Sequence, residues 1–471
     1  MLKKDTINPA SVDDAHHGEG DSNLSPHRLA WRARQSTDDA GETLLERDAA
    51  TFLHQSLSTP CLAAVRKVEG IWIEDTAGNR YMDLHGNNVH HIGYAHPRLA
   101  QALKDQIDDL PFAPRRFTNE PAVALAEKLA ELAPGDLSKV LFATGGSDAV
   151  DMALKLARNV TGRHKTVSFW DSFHGAGFGG ISVGGESLFR NEIGPLLAGA
   201  EHVAPFACYR CPYGHEAPDG VPDLDRCGMT CAEMIRYVLE KEKDVAAVIA
   251  EPVRAVPYVP PPGFWQRVRE ACDEMGALLI FDEIPSGLGK SGRMFVSEHF
   301  GVVPDIMVLG KALGGGMLPI AAMITRPELD AMSNLALGHY THEKNPLITQ
   351  AALTTLKIIE EEGLVENAAR VGAHGFERLH AMRRKHDLIG HVTGFGLIMG
   401  IELVRDPATK EPATESADRI MYRCLEQGVS FKTTMGNVLT LTPPLTITEE
   451  QMDLALDIIE NAIVAEETAM G

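Results

Sequence analysis

Between Lys139 and Lys311 the chain alternates short apolar runs with stretches of helical periodicity, and this alternation restricts the fold more than any other feature. The apolar runs are Lys139-Val140-Leu141-Phe142, Thr166-Val167-Ser168-Phe169, Val245 to Ala250, Ala277 to Phe281 and Ile306-Met307-Val308-Leu309. A strand that is apolar on both faces has to be covered on both, which is the situation of a parallel strand flanked by helices. Helical stretches such as Ala149 to Arg158 and Phe264 to Met275 supply the cover. The pattern therefore predicts an α/β domain with a mostly parallel sheet.

Two of the runs end in groups that can do chemistry. Ala277 to Phe281 leads into Asp282-Glu283, and Ile306 to Leu309 leads into Gly310-Lys311 and the glycines Gly314-Gly315-Gly316. Open α/β sheets bind ligands outside the carboxyl ends of their strands, so both side chains are expected on one ligand-binding edge. A lysine amine placed there can form a Schiff base with an aldehyde cofactor and afterwards carry protons. A carboxylate beside a pyridine nitrogen keeps that nitrogen protonated and the ring electron-poor. Taken alone, the pair is equally what a loop lysine and a strand-end acid look like.

Other strand ends add to the pair. Lys139 to Phe142 runs through Thr144 into Gly145-Gly146-Ser147-Asp148, with a helix following at once. A strand, a glycine turn and a helix start aim backbone N–H groups and the positive end of a helix dipole at a phosphate. Thr166 to Phe169 continues into Trp170-Asp171-Ser172-Phe173-His174-Gly175, where Phe173 could lie over a planar ring or serve as ordinary core. Val245 to Ala250 ends in Glu251-Pro252. Upstream, Leu44 to Ser58 reads as a helix, and Gly70 to Asp75 with Asn79 to Asp83 as a hairpin about Thr76-Ala77-Gly78. In the loop that follows, His90, His91 and His96 are expected to be hydrogen-bonded structural residues.

Charge decides how an anionic ligand could be held. With 44 Lys+Arg against 65 Asp+Glu the net charge is −21, so neither nucleic acid nor an anionic membrane is an expected partner. An anionic substrate must be met by local basic groups. Residues 1–24 carry no apolar core of a signal sequence and no later run reaches membrane-spanning length, so a cytoplasmic protein is expected, with that first segment disordered. Of seven cysteines, four cluster as Cys208-x2-Cys211 and, after fifteen residues, Cys227-x3-Cys231. That spacing is close to structural zinc patterns, while four reduced thiols on a surface insert are the plainer alternative.

From Pro346 the pattern changes to helices, Leu347 to Glu362 and Leu364 to His386, followed by strand-like Gly396 to Val404 and Val438 to Leu441 and a last helix after Thr448. The expected organisation is an N-terminal segment (1–85), a large domain (86–345) with the cysteine insert near 208–231, and a small α+β domain (346–471).

From about residue 45 to 465 these motifs resemble the class III aminotransferase family of pyridoxal phosphate enzymes. The matching set is Gly145-Gly146-Ser147, Phe173-His174-Gly175, Glu251-Pro252-Val253, Asp282-Glu283, Lys311, and Thr341 before Asn345-Pro346. The resemblance implies fold type I, with a mostly parallel seven-stranded sheet and a smaller α+β C-terminal domain. It also implies that Lys311 tethers pyridoxal 5'-phosphate and Asp282 faces its ring nitrogen. Gly145, Gly146 and Ser147 would bind the phosphate, with Phe173, His174 and Glu251 around the ring. Thr341 would reach the phosphate of a neighbouring subunit, implying a homodimer with shared active sites.

The departures from that pattern are informative. Thr440 stands where the family usually has an arginine for a substrate carboxylate, Pro285 where it has a glutamine, and Glu343-Lys344 where it has two glycines. A hydroxyl cannot replace a bidentate guanidinium. The stretches Tyr340 to Pro346, Asp282 to Pro285 and Gly436 to Pro444 are most similar to the (R)-1-hydroxy-2-aminoethylphosphonate ammonia-lyase branch of the family, which implies an aminophosphonate substrate. Arg115, Arg116 and Lys432 are candidates to hold its phosphonate. An ω-aminotransferase and a catalytically inactive cofactor-fold protein stay open as alternatives.

Overall fold

A computed structural model describes residues 25–55, 58–59, 61–217 and 219–470; the expected disorder of residues 1–24 lies outside them. The strands are β1 Val65–Glu69, β2 Trp72–Asp75, β3 Arg80–Asp83, β4 Lys139–Ala143, β5 Lys165–Phe169, β6 Ala200–Val203, β7 Val245–Ala250, β8 Leu278–Asp282, β9 Ile306–Leu309, β10 Ala321–Thr325, β11 Ile389–Phe395, β12 Ile398–Leu403, β13 Val429–Ser430, β14 Lys432–Thr434 and β15 Val438–Leu441. Three sheets result, one of seven strands ordered β4-β10-β9-β8-β7-β5-β6 and two of four.

The seven-stranded sheet is the centre of the fold. Every residue of β7, β9 and β10 is buried, as their unbroken apolar sequences require. Strands β5 to β9 pair in parallel, whereas β10 runs antiparallel to both β4 and β9. Being antiparallel to a common neighbour, β4 and β9 point the same way. The carboxyl ends of β4, β5, β7, β8 and β9 therefore lie along one edge, and the chain reverses its direction of travel across the sheet between β5 and β7. That reversal is the switch point at which such sheets take ligands.

Packing fixes the edge in place. Trp265, fully buried in the helix Phe264–Met275, donates from Nε1 to the carbonyl of Pro252 at 2.9 Å, tying the turn after β7 to the core beneath. Burying one such large side chain contributes roughly 1.5–3 kcal/mol. A strand in one of the smaller sheets, β13, pairs in parallel with β3, so residues 429–430 close the N-terminal hairpin sheet. The other small sheet, ordered β11-β12-β15-β14, is antiparallel throughout.

Several boundaries differ from expectation. The helix expected over Leu44 to Ser58 is Asp39–Thr51, because the Asp38 carboxylate caps Gly41 N at 3.0 Å and Phe52 turns extended. The helix after β4 starts at Gly146 and ends at Thr161, so Gly146 and Ser147 form its first turn. Strand β11 escapes sequence reading because Gly390 and Gly394 interrupt its alternation, and Gly394 adopts φ +132°. No helix among the described residues is long and apolar enough to cross a membrane.

Candidate active site

Asp282 ends β8 and Lys311 follows β9, the adjacent parallel strand. Asp282 is 2 % exposed, and its carboxylate is fixed from two sides: Oδ2 by His174 Nδ1 at 2.8 Å and Oδ1 by the Ile284 N–H at 3.1 Å. His174 comes from the loop after β5, so the hydrogen bond also ties two strand ends together. Its Nε2 is buried without a partner among the described residues. Lys311 is half-buried at φ +45°, a left-handed conformation that costs a lysine energy and that recurs at functional sites.

The glycine turn between β4 and the helix Gly146–Thr161 carries no side-chain cap, so its first N–H groups face the edge unpaired by a capping side chain. Neighbours crowd it closely. A Cβ on Gly146 would come within 2.9 Å of Ile284 Cδ1, and one on Gly175, at φ +115°, within 2.4 Å of Ser147 Oγ. Ser147 Oγ accepts from Ala176 N at 3.0 Å, locking the turn to the Phe173–Gly175 loop. Phe173 is half-buried with its ring 4.5 Å from that of Phe189, and Glu251 is buried at the end of β7. An uncapped helix start for a phosphate, a fixed buried carboxylate for a ring nitrogen and an amine on the next strand together suit pyridoxal phosphate.

On the other side of Lys311 lies the turn Gly86–Asn88, packed against the turn Lys311–Gly314. Asp83 organises it, accepting from His85 N at 2.9 Å, Gly86 N at 3.0 Å and the Tyr94 hydroxyl at 2.7 Å. Gly86, Asn87 and Asn88 are all left-handed, which glycine and asparagine tolerate best. Burial and the charges of Lys432 and Lys311 hold His85 well below the usual histidine range. His90 and His91 are buried, with Nε2 of each at 3.2 Å from a backbone carbonyl, of Asp83 and Gly287. His96 pairs with Glu362 at 3.3 Å.

Thr440 is 1 % exposed, its hydroxyl 2.7 Å from that of Thr434. Lys432 stands directly across from Thr440 and lines a cavity of about 330 Å³ with Asp83, His85, Tyr94 and Ser430. Arg115, Arg116 and Thr341 group elsewhere. Arg115 faces Glu343 at 3.7 Å and the His339 ring, and Arg116 and Thr341 are exposed.

The fit with known proteins is decided by a family model, aminotransferase class-III, that matches residues 54–463. The chain belongs to the class-III aminotransferase family. Among this family's members, it is 45% identical over 97% of its length to an (R)-1-hydroxy-2-aminoethylphosphonate ammonia-lyase of Vibrio splendidus, 98% of which is covered. It is 38% identical over 91% of its length to a leucine/methionine racemase of Thermococcus litoralis, 97% of which is covered. Of solved class-III folds, an amine transaminase from an uncultivated Pseudomonas species in its PLP-bound form is 32% identical with a TM-score of 0.82, over 88% of this chain and 98% of that one. A Bacillus anthracis aminotransferase superposes with a TM-score of 0.84 at 30% identity, over 92% of this chain and all of that one.

The four cysteines of the insert lie within electrostatic reach of one another, the Cys231 thiol sensing Cys208, Cys211 and Cys227, although among the described residues no group of three His, Cys, Asp or Glu side chains stands in position to hold a metal ion. Cys231 lies in the first turn of the helix Thr230–Glu242 and packs against the apolar cluster of β5 and β7, and Cys208 starts a short turn before it. Burial first, then the neighbouring thiols, pushes Cys208 up to about 11 and Cys231 up to about 12.

Sequence reading stopped one residue short at Glu251-Pro252-Val253. The next residue, Arg254, is a buried cation on the same edge. An arginine opening the otherwise uncharged run Ala255-Val256-Pro257 is the one signal in the sequence that could have found it.

Proposed function

We propose that this class-III chain is a pyridoxal 5'-phosphate-dependent ammonia-lyase that converts (R)-1-hydroxy-2-aminoethylphosphonate to phosphonoacetaldehyde and ammonia, working as a cytoplasmic homodimer. The observation that carries the reading is Thr440. Two buried hydroxyls occupy the place where the family holds a substrate carboxylate, in a chain 45% identical to an ammonia-lyase whose named substrate has none.

Pyridoxal phosphate, when bound, supplies an aldehyde that takes up the substrate amine and a protonated ring that draws electrons from the neighbouring C–H bond. Asp282 keeps the ring nitrogen protonated, and His174 keeps Asp282 aimed at it. The Gly145–Ser147 turn holds the phosphate through its N–H groups, with Thr341 reaching the phosphate held by the other subunit. Phe173 and Glu251 border the ring. Lys311 would take the proton from the carbon that bears nitrogen and deliver it to the hydroxyl on the adjacent carbon, which would leave as water. Detached from the enzyme, the unsaturated amine tautomerises and takes up one water, giving the aldehyde and ammonia. No amino acceptor is consumed, so no site for a keto acid is required. Seven free cysteines suit a reducing compartment.

An assay of purified holoenzyme for ammonia, with and without 2-oxoglutarate or pyruvate, tests the reading. Ammonia and phosphonoacetaldehyde are expected in equal amounts with no keto acid present. Turnover that depends on the keto acid would instead identify an ω-aminotransferase.

A further inference from the structure

Arg254 is a cation of the ligand-binding edge that makes no ion pair among the described residues. It is 2 % exposed and follows β7 at the edge where Asp282 and Lys311 also emerge. Its Nη2 donates to the carbonyl of Asp171, in the loop after the neighbouring β5. Nε and Nη1 are buried and have no hydrogen-bond partner among the described residues. The guanidinium lies 5.3 Å from the centre of the Tyr258 ring, which offers a π face and no negative charge. A guanidinium cannot lose its proton to escape burial, so an unanswered one calls for an anion from outside the chain.

Its position matches the substrate's own anionic end. The loop closes on itself through Arg254 N to Tyr258 O at 3.3 Å, and its Pro257 presses on the small sheet at Gly400, where a Cβ would meet Pro257 Cγ at 3.2 Å. Gly400 is directly opposite Thr440, and Thr440 directly opposite Lys432, so all three project from one face of the sheet. That face is the one the Arg254 loop covers. Thr440 thus lies between an arginine-bearing loop at one end of the row and a lysine at the other. Arg115 and Arg116 have no such placement, since Arg115 is already answered by Glu343 and Arg116 is exposed.

We propose that Arg254 binds the substrate's phosphonate, with Lys432 as the second cation across Thr440, so that the guanidinium missing from the small domain is supplied by the loop after β7. This rests on the aminophosphonate reading above. The charge has moved between elements because the anion to be held is a tetrahedral phosphonate, whose three oxygens can be shared between two cations and a hydroxyl.

The test uses holoenzyme of wild type, R254Q and R254K, with two readouts. In steady-state kinetics R254Q raises KM for the aminophosphonate about a hundredfold while kcat falls far less, and R254K recovers part of the loss. By calorimetry, methylphosphonate, which has no amine and cannot react, binds wild type and binds R254Q at least tenfold more weakly. The visible band of bound cofactor stays as in wild type. Unchanged KM and unchanged methylphosphonate binding in R254Q overturn the assignment. Loss of the cofactor band with substrate affinity intact also overturns it, by placing Arg254 on the cofactor's phosphate. If R254Q does not fold, R254K carries the decision, since a single-point ammonium in place of the fork still costs affinity. Should wild type release no ammonia yet bind methylphosphonate through Arg254, the lyase reading fails and the anion site stands.

Discussion

His174 acts through Asp282, and its effect can be separated from a purely structural one. Its Nδ1 contact at 2.8 Å is one of two that aim the carboxylate. H174A is expected to lower kcat about ten- to a hundredfold, the usual cost of losing an orienting hydrogen bond, and to shift the absorption of the bound cofactor. A shifted spectrum separates the role from a loss of folding. Lys290 makes a different prediction. It is fully buried, donates to the carbonyls of Thr442 at 3.2 Å and Pro443 at 2.6 Å, and burial lowers it to about 7. Between that value and its ordinary 10.5 the unfolded chain binds a proton that the folded chain does not. Stability contributed by this group therefore rises with pH across that window and is lost as pH falls through 7. Thermal unfolding of wild type from pH 7 to 9 should gain on K290M by up to about 1.4 kcal/mol per pH unit. Parallel curves for the two proteins would exclude the effect.

At the scale of elements, two glycines with positive φ are expected to behave oppositely. Gly175 sits against the phosphate turn, and a methyl there would meet Ser147 Oγ at 2.4 Å and Ser147 Cα at 2.9 Å. The second of these is backbone, so G175A has to displace the turn. It is expected to weaken cofactor retention at least about tenfold on dialysis, followed by absorbance, because the N–H groups that meet the phosphate move with it. Gly162 caps the far end of the same helix at φ +66° with nothing within 4 Å. G162A should cost only the left-handed strain, about 1–2 kcal/mol in denaturant unfolding, and leave the cofactor in place. Strands β7 and β9 are read from sequence at their observed bounds, because a strand buried along its whole length leaves its signature in consecutive apolar residues. Sequence reading missed β11, whose alternation Gly390 and Gly394 break, and β14, which is only three residues long.

For the whole molecule, assembly is the open quantity. Phe112 and Phe117 are exposed at 43% and 61%, beside the His339–Glu343 loop that carries Thr341, and Phe112 meets the His342 ring at 5.6 Å. Large aromatics clustered on a surface are what an interface core requires. Light scattering should return twice the 51.1 kDa chain mass for wild type, and F117D should shift it toward the monomer with loss of activity. A wild type that is monomeric and fully active would exclude shared sites.

The sequence alone placed Asp282, Lys311 and the Gly145–Ser147 turn at strand ends above a parallel sheet, because each is written in consecutive residues: an apolar run, then the polar or glycine residues that end it. Only the tertiary structure decided which cations are paired within the protein. Arg115, Arg116 and Lys432 are equal in sequence, and Arg254 drew no notice. Whether a charge is met by a neighbour or left for a ligand depends on burial and on partners hundreds of residues away, as when Arg115 meets His339 and Glu343 while Arg254 finds, among the described residues, a carbonyl and a ring.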